Sequence, residues 1–221
     1  MNCATQARKL ADYIMSLQDS FTPYEVNEGF AYHHIGALYT DIELQAGLSY
    51  NSVVKPRVQN ILLNYNEYNT VKKFQLLIDN NGLSNIIKWN HHVKLNRFED
   101  LLKFSYSSNI DCCADLKFFL SHDDNQKAFL DLKGFGPKTL DYLLKLLNVD
   151  TIAVDRHVYS FVKLADIDTQ GYHETKKVVE YAADFLNIPR ASIDKGIWEF
   201  MSEKKYSKSD LSNQYSIEFP T

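Results

Sequence analysis

Apolar side chains recur three or four residues apart along nearly the whole of this chain. That spacing is typical of amphipathic helices, and it is clearest over residues 30 to 48, 52 to 65, 154 to 167 and 173 to 187. A single short run, TIAV at 151 to 154, has the composition of a β-strand. One such run cannot build a sheet, so we predict an all-α fold of about ten short helices.

The composition excludes several classes of protein. The chain has 221 residues, enough for one large domain or two small lobes, and no apolar run reaches the roughly 18 residues of a membrane helix. Its first 20 residues predict a charged amphipathic helix, without the apolar segment of a signal peptide. Cys3, Cys112 and Cys113 form no metal-binding CxxC pattern. We therefore expect a reducing, cytoplasmic compartment (nucleoid-associated if prokaryotic), no iron–sulfur cluster and no required cofactor.

Local residue types predict where some helices begin and end. Ser52 is the expected N-cap of the helix over 52 to 65, with Pro56 in its first turn. Gly82 is the expected C-cap of the segment TVKKFQLLIDNNG. Trp89 and Trp198 are expected in the core rather than as base-stacking residues.

The segment LKGFGPKTL, residues 132 to 140, interrupts two helical stretches. Gly134 and Gly136 permit a tight connection, and Pro137 pre-sets the first turn of the next helix. The amides around Gly134, Phe135 and Gly136 are then expected to face outward at a helix N-terminus, which favours a phosphate. The alternative is a plain helix–turn–helix without a ligand.

A lysine and an aspartate follow at a spacing that suits chemistry. Lys138 and Asp155 are 17 residues apart (155 − 138), which allows a helix to lead away and TIAV to lead back, so that the two can face each other across a cleft. A lysine in a partly apolar cleft loses its charge more easily and becomes a nucleophile. The alternative role of Asp155 is that of a helix N-cap.

The pattern LxGxGxKT followed by IAVDRHV resembles the helix–hairpin–helix DNA glycosylase superfamily, in its endonuclease III and 8-oxoguanine glycosylase branches. The resemblance covers residues 124 to 164, with weaker similarity in GLSNIIKW and IDKGIWEFMSE. It implies two helical lobes with an active-site cleft between them. The central helical barrel would span 28 to 149, the second lobe 1 to 27 plus 150 to 208, and a flexible tail 209 to 221.

The resemblance also implies an activity on double-stranded DNA. Lys138 would be the Schiff-base nucleophile and Asp155 the essential carboxylate, removing an oxidised base of the 8-oxoguanine type with associated abasic-site lyase activity. Gly134, Phe135, Gly136 and Thr139 would bind DNA at the hairpin. Family members often bind a monovalent cation there, and the matching carbonyls are those of Leu130, Leu132 and Phe135.

Other features of the chain are weighed beside this resemblance. The loop QAGLSYNS, at 45 to 52, matches a family region that fills the gap left by a flipped base, and Gln45 and Tyr50 are its candidates. No cysteine follows Cys113, no N-terminal β-rich domain is indicated, and Leu140 replaces a small residue. The compact length and the VDRH segment look most like the small prokaryotic 8-oxoguanine glycosylases.

The charge is a mark against DNA binding. The net charge is −4, and residues 131 to 163 carry five Lys or Arg against four Asp. Binding through directed amides predicts a shallow salt dependence. Two alternatives stay open, namely a non-catalytic DNA-binding module and a monofunctional glycosylase in which Asp155 activates water. The adjacent pairs His33/His34 and His91/His92 do not predict a metal site, and no feature predicts an oligomer, so we expect a monomer.

Overall fold

The structure, a computed structural model, describes residues 2–21, 23 and 31–214. These residues are helical apart from their connections and contain no β-strand, as the sequence predicts. The α-helices are α1 Cys3–Ser16, α2 Ile35–Leu44, α3 Lys55–Asn64, α4 Val71–Asn81, α5 Leu83–Ile87, α6 His92–Ser107, α7 Cys113–Phe119, α8 Asp123–Leu130, α9 Pro137–Leu146, α10 Arg156–Leu164, α11 Gly171–Leu186 and α12 Arg190–Gln214. A 3₁₀ turn spans Gln18–Ser20, and a π-helical turn spans Tyr50–Val54.

The chain divides into two compact units. The central unit is Gly29–Val149, and the terminal unit combines Met1–Glu28 with Asp150–Thr221. The predicted boundary between residues 27 and 28 lies outside the described residues. Helix α12 continues to Gln214, so residues 209–214 of the predicted tail are helical, and residues 215–221 lie outside the described range.

Helix α2 lies at the centre of the central unit. Every residue from Ile35 to Leu44 is buried, and the helix contacts α3, α4, α6 and α9. A helix buried on all sides is expected to be apolar all round, but this one also carries Asp41 and Glu43. Buried carboxyl groups are costly unless neighbouring groups donate hydrogen bonds to them or carry opposite charge.

The terminal unit is built on the pairing of α1 with α11 and of α10 with α12. Its core includes Leu10, Phe161, Val178 and Ile193, each 0% exposed. The four-residue run before α10 is buried but is not a strand, because the described residues offer it no partner strand. Its role is to lead the chain into α10 with Ile152 and Val154 in the apolar core.

Helix boundaries agree with the sequence prediction at four positions and differ at one. Gly82 ends α4 with φ 76°, Pro137 is the first residue of α9, and Asp155 is the N-cap of α10. Ser52 is not an N-cap, because it lies inside the π-helical turn that runs directly into α3 at Lys55. Pro56 is in the first turn of α3, as expected.

Candidate active site and nucleic-acid interface

The hairpin between α8 and α9 is a tight turn closed on an aromatic side chain. Gly134 has a φ of +96°, a conformation that favours glycine. Phe135 is 7% exposed, and its ring lies 5.2 Å from that of Phe129 on α8. Its N–H donates to the Leu132 carbonyl at 3.1 Å. The Phe135 side chain therefore fixes the turn from inside, and its amide is used within the protein.

Four backbone amides of the hairpin are open. The N–H groups of Gly134, Gly136, Lys138 and Thr139 have no acceptor among the described residues, and the first turn bond of α9 runs from Leu140 N–H to the Gly136 carbonyl. The predicted trio of Gly134, Phe135 and Gly136 is thus wrong for Phe135. The open amides include those of Gly134 and Gly136 and extend into the first turn of α9, where a helix N-terminus suits an anion.

Lys138 lies in the first turn of α9 with an exposed side chain. No described residue hydrogen-bonds or ion-pairs with its amine. The Lys138 amine is therefore open to solvent, and the expected cleft around it stays a prediction. Tyr142 follows Lys138 by four residues on the same face of α9. Lys138 therefore lies one helical turn before Tyr142, whose side chain enters the core.

Tyr142 joins α9 to the buried carboxyl group of Asp41. Its hydroxyl donates to Asp41 Oδ1 at 2.8 Å, and the Tyr32 hydroxyl donates to Asp41 Oδ2 at 2.7 Å. Burial raises the pKa of Asp41, and these two hydrogen bonds act in the opposite direction. Burial and the nearby Asp41 charge raise the pKa values of both tyrosines. The phenols therefore remain donors, and Asp41 fixes the orientation of α9.

The loop after α2 brings Tyr50 close to this group. The Tyr50 side chain is 44% exposed, and its pKa is raised by burial and by Asp41. Tyr50 also contributes to the raised pKa of Tyr142. Gln45 is the C-cap of α2 and is half-buried, with no side-chain hydrogen bond to a described residue. The central unit thus groups Tyr50 with the α9 face that carries Lys138.

The three carbonyls predicted for a monovalent cation lie in the turn between Leu130 and Phe135. The Leu132 carbonyl accepts the Phe135 N–H, which leaves it one lone pair. The carbonyls of Leu130 and Phe135 accept no backbone hydrogen bond from a described residue. Carbonyl oxygens of this kind fit a hard monovalent cation, so the hypothesis stands as a prediction.

Asp155 belongs to the terminal unit, whereas Lys138 belongs to the central unit. The Asp155 side chain is half-buried, and its Oδ1 accepts the N–H groups of His157 at 2.8 Å and Val158 at 3.1 Å. This is a complete N-cap, which accounts for an aspartate here without chemistry. Its second oxygen accepts no hydrogen bond from the described residues and is available for another role.

Of the two tryptophans expected in the core, Trp89 packs against it and Trp198 does not. Trp198 on α12 is 49% exposed, and its ring meets the His157 ring edge-on at 6.4 Å. Trp89 is half-buried under the Arg57 guanidinium, which lies 5.2 Å from the ring centroid. Trp198 thus contacts a residue that follows Asp155 by two positions. Its exposed indole is therefore part of the terminal unit's surface near Asp155.

A group of charges around Glu43 has no counterpart in the sequence analysis. Glu43 on α2 is 4% exposed, and burial raises its pKa to about 7, although Lys94 and Arg97 act in the opposite direction. The Lys94 ammonium donates to the carbonyls of Glu43 and Ala46. Lys94 and Arg97 lie one turn apart on α6, so their i,i+3 spacing was visible in the sequence, but their approach to α2 was not.

Metal-binding clusters are absent from the described ranges. No group of three His, Cys, Asp or Glu side chains comes together there. The rings of His91 and His92 stack 5.2 Å apart at the start of α6 instead of converging on one point. All three cysteines are free; Cys113 is buried, with its pKa raised to about 12 by burial, whereas Cys112 is a half-buried N-cap.

Comparisons with known proteins give no match to a family model, a curated protein or a solved structure. The resemblance therefore rests on the motif residues of the sequence alone. Among the described helices, none is long and apolar enough to cross a membrane.

Proposed function

We propose that the protein is a DNA repair glycosylase that excises an oxidised base, of the 8-oxoguanine type, from double-stranded DNA and then cleaves the abasic site. The observation that carries the proposal is the first turn of α9. Open backbone amides and the exposed amine of Lys138 stand together there. Amides at a helix N-terminus suit a phosphate, and a primary amine beside a held nucleotide suits imine chemistry.

In the proposed reaction, the target nucleotide is flipped out of the duplex. The Lys138 nitrogen bonds to C1′ of the sugar as the bond from C1′ to the base breaks, and the base leaves with the electron pair. Asp155 offsets the positive charge that develops on the sugar and accepts a proton from the amine. The departed base takes up a proton, and the sugar ring opens to an imine. Loss of a proton from C2′ of the imine then expels the 3′ phosphate.

The exposure of Lys138 adds a condition to this reaction. An exposed amine is hydrated, and attack on carbon requires its nitrogen lone pair to be free of solvent. In the proposal, the bound nucleotide displaces water from Lys138. Tyr50 and Gln45 would occupy the gap in the duplex, and the exposed indole of Trp198 offers a surface for stacking the extruded base.

A specific observation favours a second function. The carboxylate of Asp155 is accounted for by its two amide hydrogen bonds, so a non-catalytic DNA-binding module with the same hairpin would use Asp155 as a cap alone. A water-using glycosylase is the third version, in which Asp155 acts and Lys138 does not. The three differ in which side chain is required.

Borohydride trapping separates these functions. Duplexes that contain 8-oxoguanine, an oxidised pyrimidine or an abasic site are incubated with the protein and borohydride, which reduces an imine to a stable adduct. We expect a covalent adduct that is abolished in Lys138→Gln. Lys133→Gln is the matched control, because Lys133 is an exposed lysine of the same hairpin; it should keep the adduct.

Asp155→Asn is the second arm of that experiment. Asparagine is as good an N-cap as aspartate, so the variant should keep its thermal stability and lose base excision by about 100-fold or more. Binding of all duplexes without any adduct would favour the module. Excision that survives in Lys138→Gln and fails in Asp155→Asn would favour the water-using enzyme.

A further inference from the structure

The guanidinium of Arg97 lies against the tip of the hairpin. A Cβ atom built on Gly134 would lie 2.3 Å from Arg97 Cζ and 2.6 Å from its Nη2. Arg97 belongs to α6, 37 residues before Gly134 in the sequence. The guanidinium thus occupies the space that a side chain at Gly134 would take, and it adds a positive charge to a turn that already carries Lys133.

The Arg97 guanidinium is not committed to another protein group. It makes no hydrogen bond, and no ion pair within 4 Å, with any residue in the described ranges, and it is half-buried. Arg57 in the same unit differs, since it donates to the carbonyls of Val53 and Lys88. Lys94, one turn before Arg97, is likewise committed to the end of α2. All the N–H donors of the Arg97 guanidinium are therefore available to a ligand.

Glu43 is the buried acidic group that interacts electrostatically with Arg97. Its carboxyl group is almost fully buried and interacts electrostatically with Lys94 and Arg97, both on α6. Asp41, two residues earlier on α2, faces Tyr32 and Tyr142 instead. Glu43 therefore attracts the Arg97 guanidinium without taking any of its N–H groups.

We propose that Arg97 is a direct ligand of a DNA phosphate at this hairpin, beside the open amides of Gly134 and Gly136. A guanidinium binds phosphate through two parallel hydrogen bonds. A side chain at Gly134 would displace this guanidinium from the tip of the hairpin. The inference rests on the proposed function, since the ligand is the phosphodiester of the DNA on which Lys138 would act.

The test measures duplex affinity as a function of salt. The probe is a duplex with a tetrahydrofuran abasic analogue, which cannot form an imine and so reports binding alone. The variants are Arg97→Gln, Arg97→Lys and the matched control Lys103→Gln. Lys103 is on the same helix, and its side chain is 73% exposed. It lies six residues after Arg97, which places it on a different face of the helix.

We expect Arg97→Gln to weaken binding about 10- to 100-fold, as for a lost charged hydrogen bond. The slope of log K against log salt is negative, and its magnitude should also decrease by about 0.9, which corresponds to one phosphate contact. Arg97→Lys should weaken binding but keep the slope, because it retains the charge. Lys103→Gln should change neither quantity. Thermal unfolding of each variant shows whether it is folded.

The outcomes separate this inference from the proposed function. An unchanged slope in folded Arg97→Gln, while the wild type still gives the borohydride adduct, overturns the role of Arg97 and leaves the glycosylase proposal intact. A reduced slope without any adduct from the wild type supports the phosphate ligand and rejects the enzyme. No binding of the probe by the wild type rejects both.

Discussion

Gly134 and Gly136 lie two residues apart in the hairpin, but they differ in backbone conformation and in the space around them. Gly134 has a φ of +96°, and a Cβ there would collide with the Arg97 guanidinium. Gly136 has an extended φ of −130°, and a Cβ there would meet nothing within 4 Å. The protein's own structure thus requires glycine at 134 and does not require it at 136. A glycine at 136 is needed only if a ligand approaches the backbone closely.

This contrast gives a prediction for Gly136→Ser. Serine is a better N-cap than alanine and at least equal to glycine, so the variant should melt within about 2 °C of the wild type or above it. A side chain at 136 would obstruct a phosphate at the open amides, so we expect weaker binding of the duplex. Calorimetry and fluorescence anisotropy measure the two quantities.

Gly134→Ala is the comparison, and its main effect should be on folding. Alanine at a positive φ is strained, and its Cβ displaces Arg97, so we expect a loss of about 1–3 kcal/mol in the free energy of unfolding. Undiminished duplex binding in Gly136→Ser would argue that no phosphate lies at this turn.

Most local roles were predictable, although the N-cap predicted at Ser52 was wrong, and roles that depend on distant contacts were not predictable. The caps at Gly82 and Asp155 and the first-turn position of Pro137 follow from backbone preferences of single residues, and all three are confirmed. Arg97 meets Gly134 across 37 residues of sequence, which no local pattern encodes. The exposure of Trp198 was also mispredicted, because one helix turn does not determine which face is covered.

At the scale of elements, α9 is held to α2 by a polar contact inside an apolar core. The Tyr142 and Tyr32 hydroxyls donate to the two oxygens of Asp41, which is 0% exposed. A buried carboxyl group without donors would be costly, so the two phenols stabilise it. Because Lys138 lies one turn before Tyr142, this contact also sets the direction in which the amine projects.

Tyr142→Phe should therefore destabilise the protein without changing its shape. The variant removes one donor from buried Asp41, and we expect a loss of about 1–3 kcal/mol in the free energy of unfolding measured with urea. Tyr106→Phe is the control, since Tyr106 on α6 is 47% exposed and its hydroxyl has no hydrogen bond to a described residue. Equal effects of the two substitutions would contradict the role given to Asp41.

Element type was more predictable than element boundary. Helical spacing predicted an all-α fold, which is confirmed. The predicted helix over 30 to 48 is shorter, since α2 covers Ile35–Leu44, and the predicted strand at 151 to 154 is extended backbone without a partner. Boundaries depend on packing and on available partners, which periodicity does not contain. The π-helical turn at Tyr50–Val54 likewise leaves no mark in apolar spacing.

For the molecule as a whole, charge matters at particular positions more than in total. The net charge of −4 disfavours a protein that coats DNA. Folding nonetheless brings Lys94 and Arg97 beside the end of α2, where buried Glu43 interacts with both. Glu43 has its pKa raised to about 7 from an ordinary 4.5, so its ionisation falls in the neutral range.

The stability of the protein should depend on pH through Glu43. Below pH 4.5 the carboxyl group is protonated in both states, and the folded state carries no penalty from it. As pH rises from 4.5 to about 7, only the unfolded state ionises, so the free energy of unfolding falls. The total change is about 3 kcal/mol, complete above pH 7.

Glu43→Gln should remove this part of the pH dependence. Relative to the wild type, the variant should therefore be more stable at pH 8 than at pH 5. Urea unfolding at both pH values measures it. Glu99→Gln, at an exposed position on α6, is the control and should follow the wild type. If Glu43→Gln retains the full wild-type decline between pH 5 and pH 8, another group is responsible.

The terminal unit is assembled from both ends of the chain, and this has a consequence for protein synthesis. Helix α1 packs on α11, whose last residue is translated some 170 residues after the end of α1. At about 5–20 residues per second, the apolar face of α1 waits roughly ten to thirty seconds for its partner. Gly29–Val149 has left the ribosome's active centre by then, so the nascent chain can complete the central unit first. Throughout that interval α1 is the segment most in need of a chaperone.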